Sequence, residues 1–338
     1  MGDITIYNNL IHPSKGHQMK KIKAVLLLIA SISIILCVFI SGCTDDTYNF
    51  SNDSVVIEGK EDIYSTITDA INNAIDGDTI LVGAGLYNES LIITKSITLV
   101  GDGKDTTIIS GNLTGDVIHI SISHVTITGF TIQNAGNQSS PGIDAGIDIR
   151  SSYNTISNNN IISNGLYGIH LYIASKNNTV THNTISDNNY GICLENASKN
   201  DISSNTVTSS TLYGVYLKSR SNNNLITNNV VTDNDLGARI KSSSGNTVTA
   251  NLFANNQRGL YFCCGAIGNI AFSNSFINNS QWNASDNLNN QWDNGTYGNY
   301  WGDYNGPDTN GDGIGDAPYY ISEGKSVDRY PLMEPPAI

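Results

Sequence analysis

The sequence predicts an all-β protein built as a parallel β-helix, a solenoid of about ten stacked coils. Three observations support this fold. The chain contains 45 Asn and 32 Gly but only 14% charged residues, whereas an ordinary soluble domain has about 25%. A glycine followed by alternating apolar residues recurs every 22 or 23 residues, and two asparagine tracks keep phase with it. The repeats show neither a helical stripe nor a leucine-rich pattern, which excludes a leucine-rich repeat.

The repeat extends over six units. Its glycines are Gly146, Gly168, Gly191, Gly214, Gly237 and Gly259. Its asparagine tracks are Asn154, Asn178, Asn200, Asn224, Asn246, Asn269 and, five residues later in each unit, Asn159, Asn183, Asn205, Asn229, Asn251, Asn274. One unit cannot bury its apolar face alone, so stacked coils share a core. Because asparagine tolerates left-handed backbone and its amide can bond the next amide, we expect both tracks at coil corners.

The segment before the repeats predicts a cap. Ile63, Ile67, Ala70, Ile71 and Ala74 follow helical spacing, which indicates one amphipathic helix. Such a helix would close the first coil, whose strand edges are otherwise unpaired. We therefore predict a β-helix domain over residues 55–280, followed by an aromatic, acidic C-terminal cap over residues 281–338.

The front of the chain predicts export. Basic residues after Met19, the better start, precede an apolar run that ends in Ile-Ser-Gly-Cys at Cys43, the order of an export signal. The last four residues resemble the lipobox of prokaryotic lipoproteins, which implies lipidation of Cys43. The alternative is an uncleaved anchor, although the apolar run is barely long enough to span a membrane. We assign residues 1–43 to the signal and 44–54 to a linker, with the remainder extracytoplasmic, at the cell surface and membrane-anchored.

The net charge excludes one class of partner. The formal charge is −13 at pH 7, whereas a general nucleic-acid binder carries a basic surface. We therefore predict that the protein does not bind nucleic acid.

Several segments resemble a known family. The stretch DGDTILVGAGLYNESLIITKSITLVGDG, then ITGFTIQN, then the asparagine-rich coils and the tail GNYWGDYNGPDTNGDGIGDAPYYI are similar to carbohydrate-binding and sugar-hydrolase β-helix proteins. The similarity is greatest to the NosD-like group of prokaryotic surface proteins. It covers about residues 55–334, implies a right-handed β-helix, and says little about activity because this scaffold has many functions.

The tail contains a candidate calcium loop. Asp308, Asn310, Asp312 and Asp316 stand at the first, third, fifth and ninth positions of an EF-hand-type loop, with Gly313 at the sixth. The carbonyl of Ile314 would be a further ligand. Tyr319 stands where the bidentate Glu is expected, so the site is shortened or completed by Asp303 or Asp328. A structural calcium ion is predicted; the alternative is an Asp/Gly turn without metal.

Strand alternation predicts a ligand face beside the repeat glycines. One column holds Asp148, His170, Cys193, Tyr216, Arg239 and Tyr261, and the adjacent column holds Arg150, Tyr172, Glu195, Lys218, Lys241 and Cys263. Aromatic rings offer apolar faces to sugars, and charged groups bind hydroxyls or carboxylates. A polysaccharide or surface glycan is the predicted partner; the alternative is an ordinary solvated sheet face.

Catalysis on this face is a weaker prediction. Asp148 and Glu195 are the candidate carboxylates of a glycoside hydrolase, and Lys218 is the candidate base of a polysaccharide lyase. Since no acidic cluster is evident in the coils to hold a catalytic calcium, we favour recognition or cell-surface scaffolding over turnover. The NosD resemblance also implies copper, for which His170 beside Cys193 is the pair within reach; an ordinary surface pair is the alternative.

Overall fold

The computed structural model describes residues 54–139, 143–324 and 326–337, and it confirms a parallel β-helix. Three long sheets, named A, B and C, run along the solenoid, and each coil contributes one strand to each sheet. The export signal, its start at Met19, the lipidation site Cys43 and residues 44–53 of the linker lie outside the described residues. Among the described residues, no helix is long and apolar enough to cross a membrane.

Sheet A has 11 strands, of which the first two pair antiparallel and cover its N-terminal edge. In spatial order they are Ile63–Tyr64, Val55–Ile57, Thr79–Val82, Thr98–Gly101, Thr126–Thr128, Thr155–Ser157, Thr179–Thr181, Asp201–Ser203, Leu225–Thr227, Thr247–Thr249 and Ile270–Phe272. The strands from the third onward pair parallel, one coil to the next.

Sheet B has 10 strands and sheet C has 9. The strands of sheet B are Gly85–Tyr87, Thr107–Ser110, Thr131–Gln133, Asn160–Ile162, Thr184–Ser186, Thr206–Thr208, Val230–Thr232, Leu252–Ala254, Ser275–Ile277 and Tyr300–Trp301. The strands of sheet C are Leu91–Ile93, Ile118–Ile120, Ala145–Ile149, Tyr167–Tyr172, Tyr190–Glu195, Tyr213–Lys218, Leu236–Lys241, Arg258–Cys263 and Trp282–Asp286. Both sheets therefore continue past residue 280, where the sequence places the start of the cap.

One apolar core fills the solenoid. In sheet C, each coil adds one inward residue of the same column, and none of them is more than 3% exposed; these are Ile147, Ile169, Ile192, Val215, Ala238 and Leu260. Burying such a side chain contributes about 1.5–3 kcal/mol, so the stacking itself stabilises the coils.

The repeat glycines lie where adjacent coils approach most closely. A Cβ atom on Gly168 would lie 2.7 Å from the carbonyl oxygen of Gly191, and one on Gly191 would lie 2.6 Å from that of Gly214. These contacts are too short for any side chain. The recurring glycine therefore follows from the spacing of the coils and not from an unusual backbone angle.

Both predicted asparagine tracks form buried ladders. At each step the side-chain oxygen of one asparagine accepts hydrogen bonds from the backbone N–H and the side-chain amide of the asparagine one coil earlier, as Asn205 does for Asn183 at 3.0 Å. The sequence predicts left-handed backbone at the ladder asparagine itself, and this prediction is wrong. The left-handed residue is the one before the asparagine, such as Ser204 at φ 55°, because the turn there directs the next side chain inward.

A third ladder was not anticipated. It contains Asn164, Asn188, Asn234, Asn256 and Asn279, with Ser210 in the register position between the second and third. These residues follow the strands of sheet B by two positions, just as the second track follows sheet A. The serine breaks the pattern in the sequence, which hides the third track from a search for recurring asparagine.

The two longer ladders end on buried carboxylates of the cap. Asp286 accepts from the backbone N–H of Asn290 at 2.6 Å and from its side-chain amide at 3.0 Å. Asp328 accepts from the backbone N–H of Asn299 at 2.7 Å. Burial raises the pKa of Asp328 to about 6. Trp292 and Trp301 pack beneath them against Phe276, and a hairpin of Tyr319–Tyr320 and Val327–Asp328 completes the cap.

The N-terminal helix is shorter than predicted. Helix α1 spans Ile67–Asn73 and buries Ile67, Ala70 and Ile71, but Ile63 lies in a short strand and is 72% exposed. The helix begins late because Thr66 caps it, accepting from the N–H of Asp69. At its other end, the ammonium group of Lys95 donates to three terminal carbonyls, which complements the helix dipole.

We predict that Asn205→Ala destabilises the protein by about 1–3 kcal/mol, because it leaves buried donors of Asn183 without an acceptor. Urea denaturation followed by circular dichroism measures the change. Asn137→Ala, at an exposed loop position, is the control and should leave the midpoint unchanged. Equal midpoints for Asn205→Ala and the unmodified protein would contradict a stabilising role for the ladder.

Candidate ligand-binding face on sheet C

The first predicted column runs along sheet C in the expected register. Asp148 pairs with His170, His170 with Cys193, and the column continues through Tyr216 and Arg239 to Tyr261. Its first half, however, is not a solvated surface. Asp148, His170 and Cys193 have no exposed surface, and Tyr216 is 8% exposed. Only the half from Arg239 onward reaches the solvent directly.

A row of tyrosines covers the buried half of the column. Tyr167, Tyr190 and Tyr213 each precede a repeat glycine and are paired across adjacent strands. Their rings lie 4.9 and 5.5 Å apart between centroids, and Tyr213 lies 4.9 Å from Tyr216. This row was not predicted from the sequence, because each repeat was defined as beginning at its glycine and the tyrosine stands one residue earlier. The recurring Tyr-Gly pair at three successive repeats was the available signal.

Beneath the tyrosines lies a chain of ion pairs. Asp148 is within 3.2 Å of His119 and 3.0 Å of His170, and it also accepts from Arg150 at 2.6 Å. Farther along the solenoid, Glu195 pairs with Lys218 at 2.9 Å. The second ring nitrogen of His170 lies 3.7 Å from Glu195, so this histidine stands between the two carboxylates that the sequence analysis selected.

The network stabilises the charged forms of its members. Burial alone would raise the pKa of Asp148, but hydrogen bonds from His119 and His170 outweigh it and lower the pKa well below the usual value. Hydrogen bonds to Asp116 and Asp148 raise the pKa of His119 to about 9. His170, despite its burial, has a pKa well above that of free histidine because it hydrogen-bonds to Asp148 and lies close to Cys193 and Glu195.

The same holds for the pair nearer the solvent. The imidazole of His170, 3.7 Å away, and the ion pair with Lys218 lower the pKa of Glu195 to about 2. Burial would lower the pKa of Lys218, but the proximity of Cys193 and the hydrogen bond to Glu195 raise it instead. At neutral pH the candidate acid, Glu195, is therefore an ionised carboxylate, and the candidate base, Lys218, is a protonated ammonium ion.

Cations and aromatic rings alternate on the accessible side of this face. The guanidinium of Arg239 donates to the hydroxyl of Tyr213 at 2.7 Å and lies 5.8 Å from the ring centroid of Tyr261. The ammonium of Lys218 lies 5.7 Å from the ring centroid of Tyr216. At the N-terminal end, Arg150 lies 4.9 Å from the ring centroid of Tyr172. Lys241 belongs to the second column, beside Cys263.

An acidic cluster, which the sequence did not predict, lies in the coils. Asp116, His119 and Asp148 place ligand atoms within 4.8 Å of one another. Asp116 precedes the strand Ile118–Ile120 and was not considered. The imidazole of His119 already holds both carboxylates, at 3.1 Å and 3.2 Å, and thus fills the role that a cation would take. An open cavity of about 410 Å³ lies beside it, lined by Ser90, Thr114, Asp116 and His119 among others.

Cysteine thiols occur at two places among the described residues. His170 and Cys193, the pair predicted for copper, are both buried and the imidazole is held in its protonated form by carboxylates, which does not suit a metal ligand. Cys263 and Cys264 lie together at the end of a sheet C strand, and both contact Arg239. The second place offers two sulfur donors and partial access to solvent.

The predicted calcium loop is an exposed turn in the cap. The carboxylate of Asp308 accepts from the N–H groups of Gly311 at 2.8 Å and Gly313 at 3.0 Å, and Asp312 accepts from Ile314. Gly313 has φ 84°, the conformation that the sixth position of such loops requires. Asp316 accepts from the N–H of Thr309, so the ends of the loop are held together.

Several solved structures are similar to this chain. XylC in complex with xylose has 13% identity and TM-score 0.56, over 72% of this chain and 66% of XylC. Pectate lyase Pel9A has 14% identity and TM-score 0.53, over 74% of this chain and 78% of the lyase. The mannuronan C-5 epimerase AlgE4 A-module of Azotobacter vinelandii has 16% identity and TM-score 0.46, over 69% and 85%. The two similarities with a TM-score above 0.5 show the fold alone.

Sequence comparison adds the family. A search of curated proteins gave no significant match. A family profile described as periplasmic copper-binding protein (NosD) matches residues 71–306, from helix α1 through the last coil into the cap. This match spans well over half of the chain and agrees with the β-helix described above. The chain therefore belongs to the NosD family.

Proposed function

We propose that the protein is an extracytoplasmic glycan-binding protein that holds polysaccharide along the outer face of sheet C without cleaving it. The observation that carries this proposal is the row of tyrosines in register with the coils, in which Tyr190 and Tyr213 are partly exposed and cations flank them. Rings repeated at the spacing of β-strands offer successive apolar surfaces to a chain of sugar rings.

The charges on the face favour an acidic glycan. Arg150 and Lys218 each pair with a carboxylate, whereas Arg239 and Lys241 form no ion pair with any described residue. Guanidinium and ammonium groups without a carboxylate partner bind carboxylates or sulfates of a ligand well. We therefore propose a uronate-containing or otherwise anionic polysaccharide as the preferred class of ligand.

The pKa values support binding over catalysis. A glycosidase requires one carboxylic acid with a raised pKa, yet that of Glu195 is lowered to about 2 and that of Asp148 is lowered further. Asp148 also has no exposed surface with which to contact a substrate. A lyase requires a base that can accept a proton, and Lys218 holds its own proton firmly. Hydrolase or lyase activity remains the alternative that the experiment below tests.

Two further points support this proposal. The fold carries carbohydrate chemistry in the xylose complex of XylC and in pectate lyase Pel9A. The description of the family is periplasmic, which agrees with the predicted export signal. We propose attachment to the membrane through a lipid on Cys43, with an uncleaved anchor as the alternative.

We predict that a glycan array detects binding to an acidic polysaccharide and that Tyr190→Ala and Arg239→Gln each weaken it about 10-fold, the equivalent of roughly 1.4 kcal/mol. Titration calorimetry measures the affinities. Lys199→Gln, an exposed corner cation of sheet A, is the matched control and should bind as the unmodified protein does. Loss of affinity in the control to the same extent would indicate charge attraction without a defined face.

The same glycan is then assayed for new reducing ends and for unsaturated uronate. We expect neither product. Turnover that disappears in Glu195→Gln or Lys218→Ala would overturn the binding-only proposal in favour of a hydrolase or lyase.

We also propose that the loop from Asp308 to Asp316 binds a structural calcium ion. Its support is the spacing of Asp308, Asn310, Asp312 and Ile314 along the loop, with a left-handed Gly313 at the sixth position. The loop is tied to the C-terminal segment, since Gly315 donates to the carbonyl of Pro331 at 2.8 Å. A bound ion would therefore hold the end of the chain against the cap.

We predict that calcium at 100 times its dissociation constant stabilises the protein by about 2.7 kcal/mol. Thermal unfolding with calcium and with excess chelator measures this difference. Asp312→Ala should remove the response, whereas Asp303→Ala tests whether a carboxylate from outside the loop completes the site. Identical melting curves in calcium and chelator would sink the proposal.

A further inference from the structure

One of the three tryptophans of the chain lies at the surface. Trp292 and Trp301 are buried, and each donates its indole N–H to a buried carboxylate, Trp292 to Asp286 and Trp301 to Asp328. Trp282 is partly exposed, and its indole N–H forms no hydrogen bond with any described residue. Buried indole groups usually have a partner. The two buried tryptophans are therefore part of the cap, whereas Trp282 is available to a ligand.

Trp282 extends the tyrosine row of sheet C. The strand pairing places it in the same column as Tyr213, three strands farther along the solenoid. Its ring lies 5.8 Å from that of Tyr261, edge to face, and both rings are partly exposed. The accessible rings of the face thus form two pairs. Tyr190 and Tyr213 are the first ring pair, and Tyr261 and Trp282 are the second.

Arg239 lies between the two ring pairs. Its guanidinium carbon is 5.4 Å from the ring centroid of Tyr213 and 5.8 Å from that of Tyr261. The guanidinium also donates to the hydroxyl of Tyr213 and to the sulfur of Cys263, which hold it in place. It forms no ion pair with a described residue. Because a guanidinium has five N–H donors, several remain for a carboxylate of a ligand.

The ring pairs and Arg239 form a long and narrow surface. They occupy five consecutive strands of sheet C, from Tyr190–Glu195 to Trp282–Asp286. Since adjacent strands are about 4.8 Å apart, this surface extends over about 19 Å along the solenoid. A straight row of this length suits an extended, unbranched chain better than a single compact ligand.

A carboxylate marks the C-terminal end of the row. Ser285 follows Tyr261 in its column, and the hydroxyl of Ser285 donates to Glu323 at 3.0 Å. Glu323 is an exposed residue of the cap. Its negative charge repels a negatively charged ligand, so an anionic chain should occupy the coils before it and not continue across the cap.

We propose that the two ring pairs and Arg239 form one binding site for a linear polyuronate, with a carboxylate of the ligand on Arg239 and sugar rings against both ring pairs. Aromatic rings contact the apolar faces of sugars, and a guanidinium binds a carboxylate through parallel N–H groups. This inference rests on the proposed function and adds a second group of contacts at Trp282, a central charge contact and an end at Glu323.

The first test measures tryptophan fluorescence of the full chain, with a galacturonate hexamer as the probe. Because Trp282 is the one partly exposed tryptophan of the three, acrylamide should quench its emission selectively. We expect the bound hexamer to protect Trp282 from acrylamide, and Trp282→Phe to remove both the quenchable emission and the protection. If calorimetry shows that the hexamer binds while acrylamide quenches Trp282 as before, this inference is overturned and the proposed function stands.

Calorimetry with the hexamer and with its methyl ester separates ring contacts from charge. Trp282→Ala should weaken binding of both oligomers about 10-fold, the effect expected when an aromatic anchor is truncated. Trp282→Phe, which keeps a ring, should retain most of the affinity and shows that the fold is intact. Arg239→Gln should weaken only the acidic hexamer, since the ester has no carboxylate; equal losses for both oligomers would contradict the charge contact.

The proposed end of the site is tested with Glu323→Gln. It should strengthen binding of the hexamer about 2-fold to 5-fold at low salt, because it removes an exposed like charge. Glu334→Gln, which changes an exposed residue farther along the tail, is the matched control and should have no effect. Equal gains in both variants would contradict an end at Glu323. If neither oligomer binds, this inference is overturned, whereas the glycan array then decides the proposed function.

Discussion

The strict register between coils, held by buried asparagine ladders, is the constraint on which the rest of this structure depends. Each ladder asparagine satisfies backbone and side-chain donors of the coil before it, so a shift of one residue would orphan buried polar groups all along the solenoid. The ladders require each coil to place its asparagine directly above that of the coil before it, although the number of residues per coil varies. The columns of side chains on sheet C exist only because that spacing is kept.

The register explains why one face is both rigid and charged. Side chains one repeat apart are placed on adjacent strands, which brings Asp148, His170 and Glu195 into one chain of contacts although they are 22 to 25 residues apart. The tyrosine row shields this chain from solvent, and shielding strengthens its ion pairs. The buried charges thus support the orientation of the surface rings and cations, which are the groups available to a ligand.

The fold, its repeat and both side-chain columns follow from the sequence because their period is visible in it. What the period does not reveal is which outward side chains are covered. Asp148 and Arg239 occupy equivalent column positions in different coils, yet only the arginine reaches solvent, because Tyr167 and its neighbours lie over the first coils of the face. The contribution of Asp116 was equally invisible, since it lies outside the repeat frame. The start of helix α1 depended on the cap at Thr66, a local hydrogen bond that helical spacing alone does not show.

The ladders also have a direction. Every side-chain oxygen faces the preceding coil, so a free C-terminal end would present unpaired amide donors, an open template on which the first coil of another molecule could assemble. In the two longer ladders, Asp286 and Asp328 occupy those donors with carboxylate oxygens, and an acceptor-only group cannot pass the pattern on. The cap therefore sets the length of the solenoid chemically as well as sterically, and keeps a self-complementary stack from growing into a fibre.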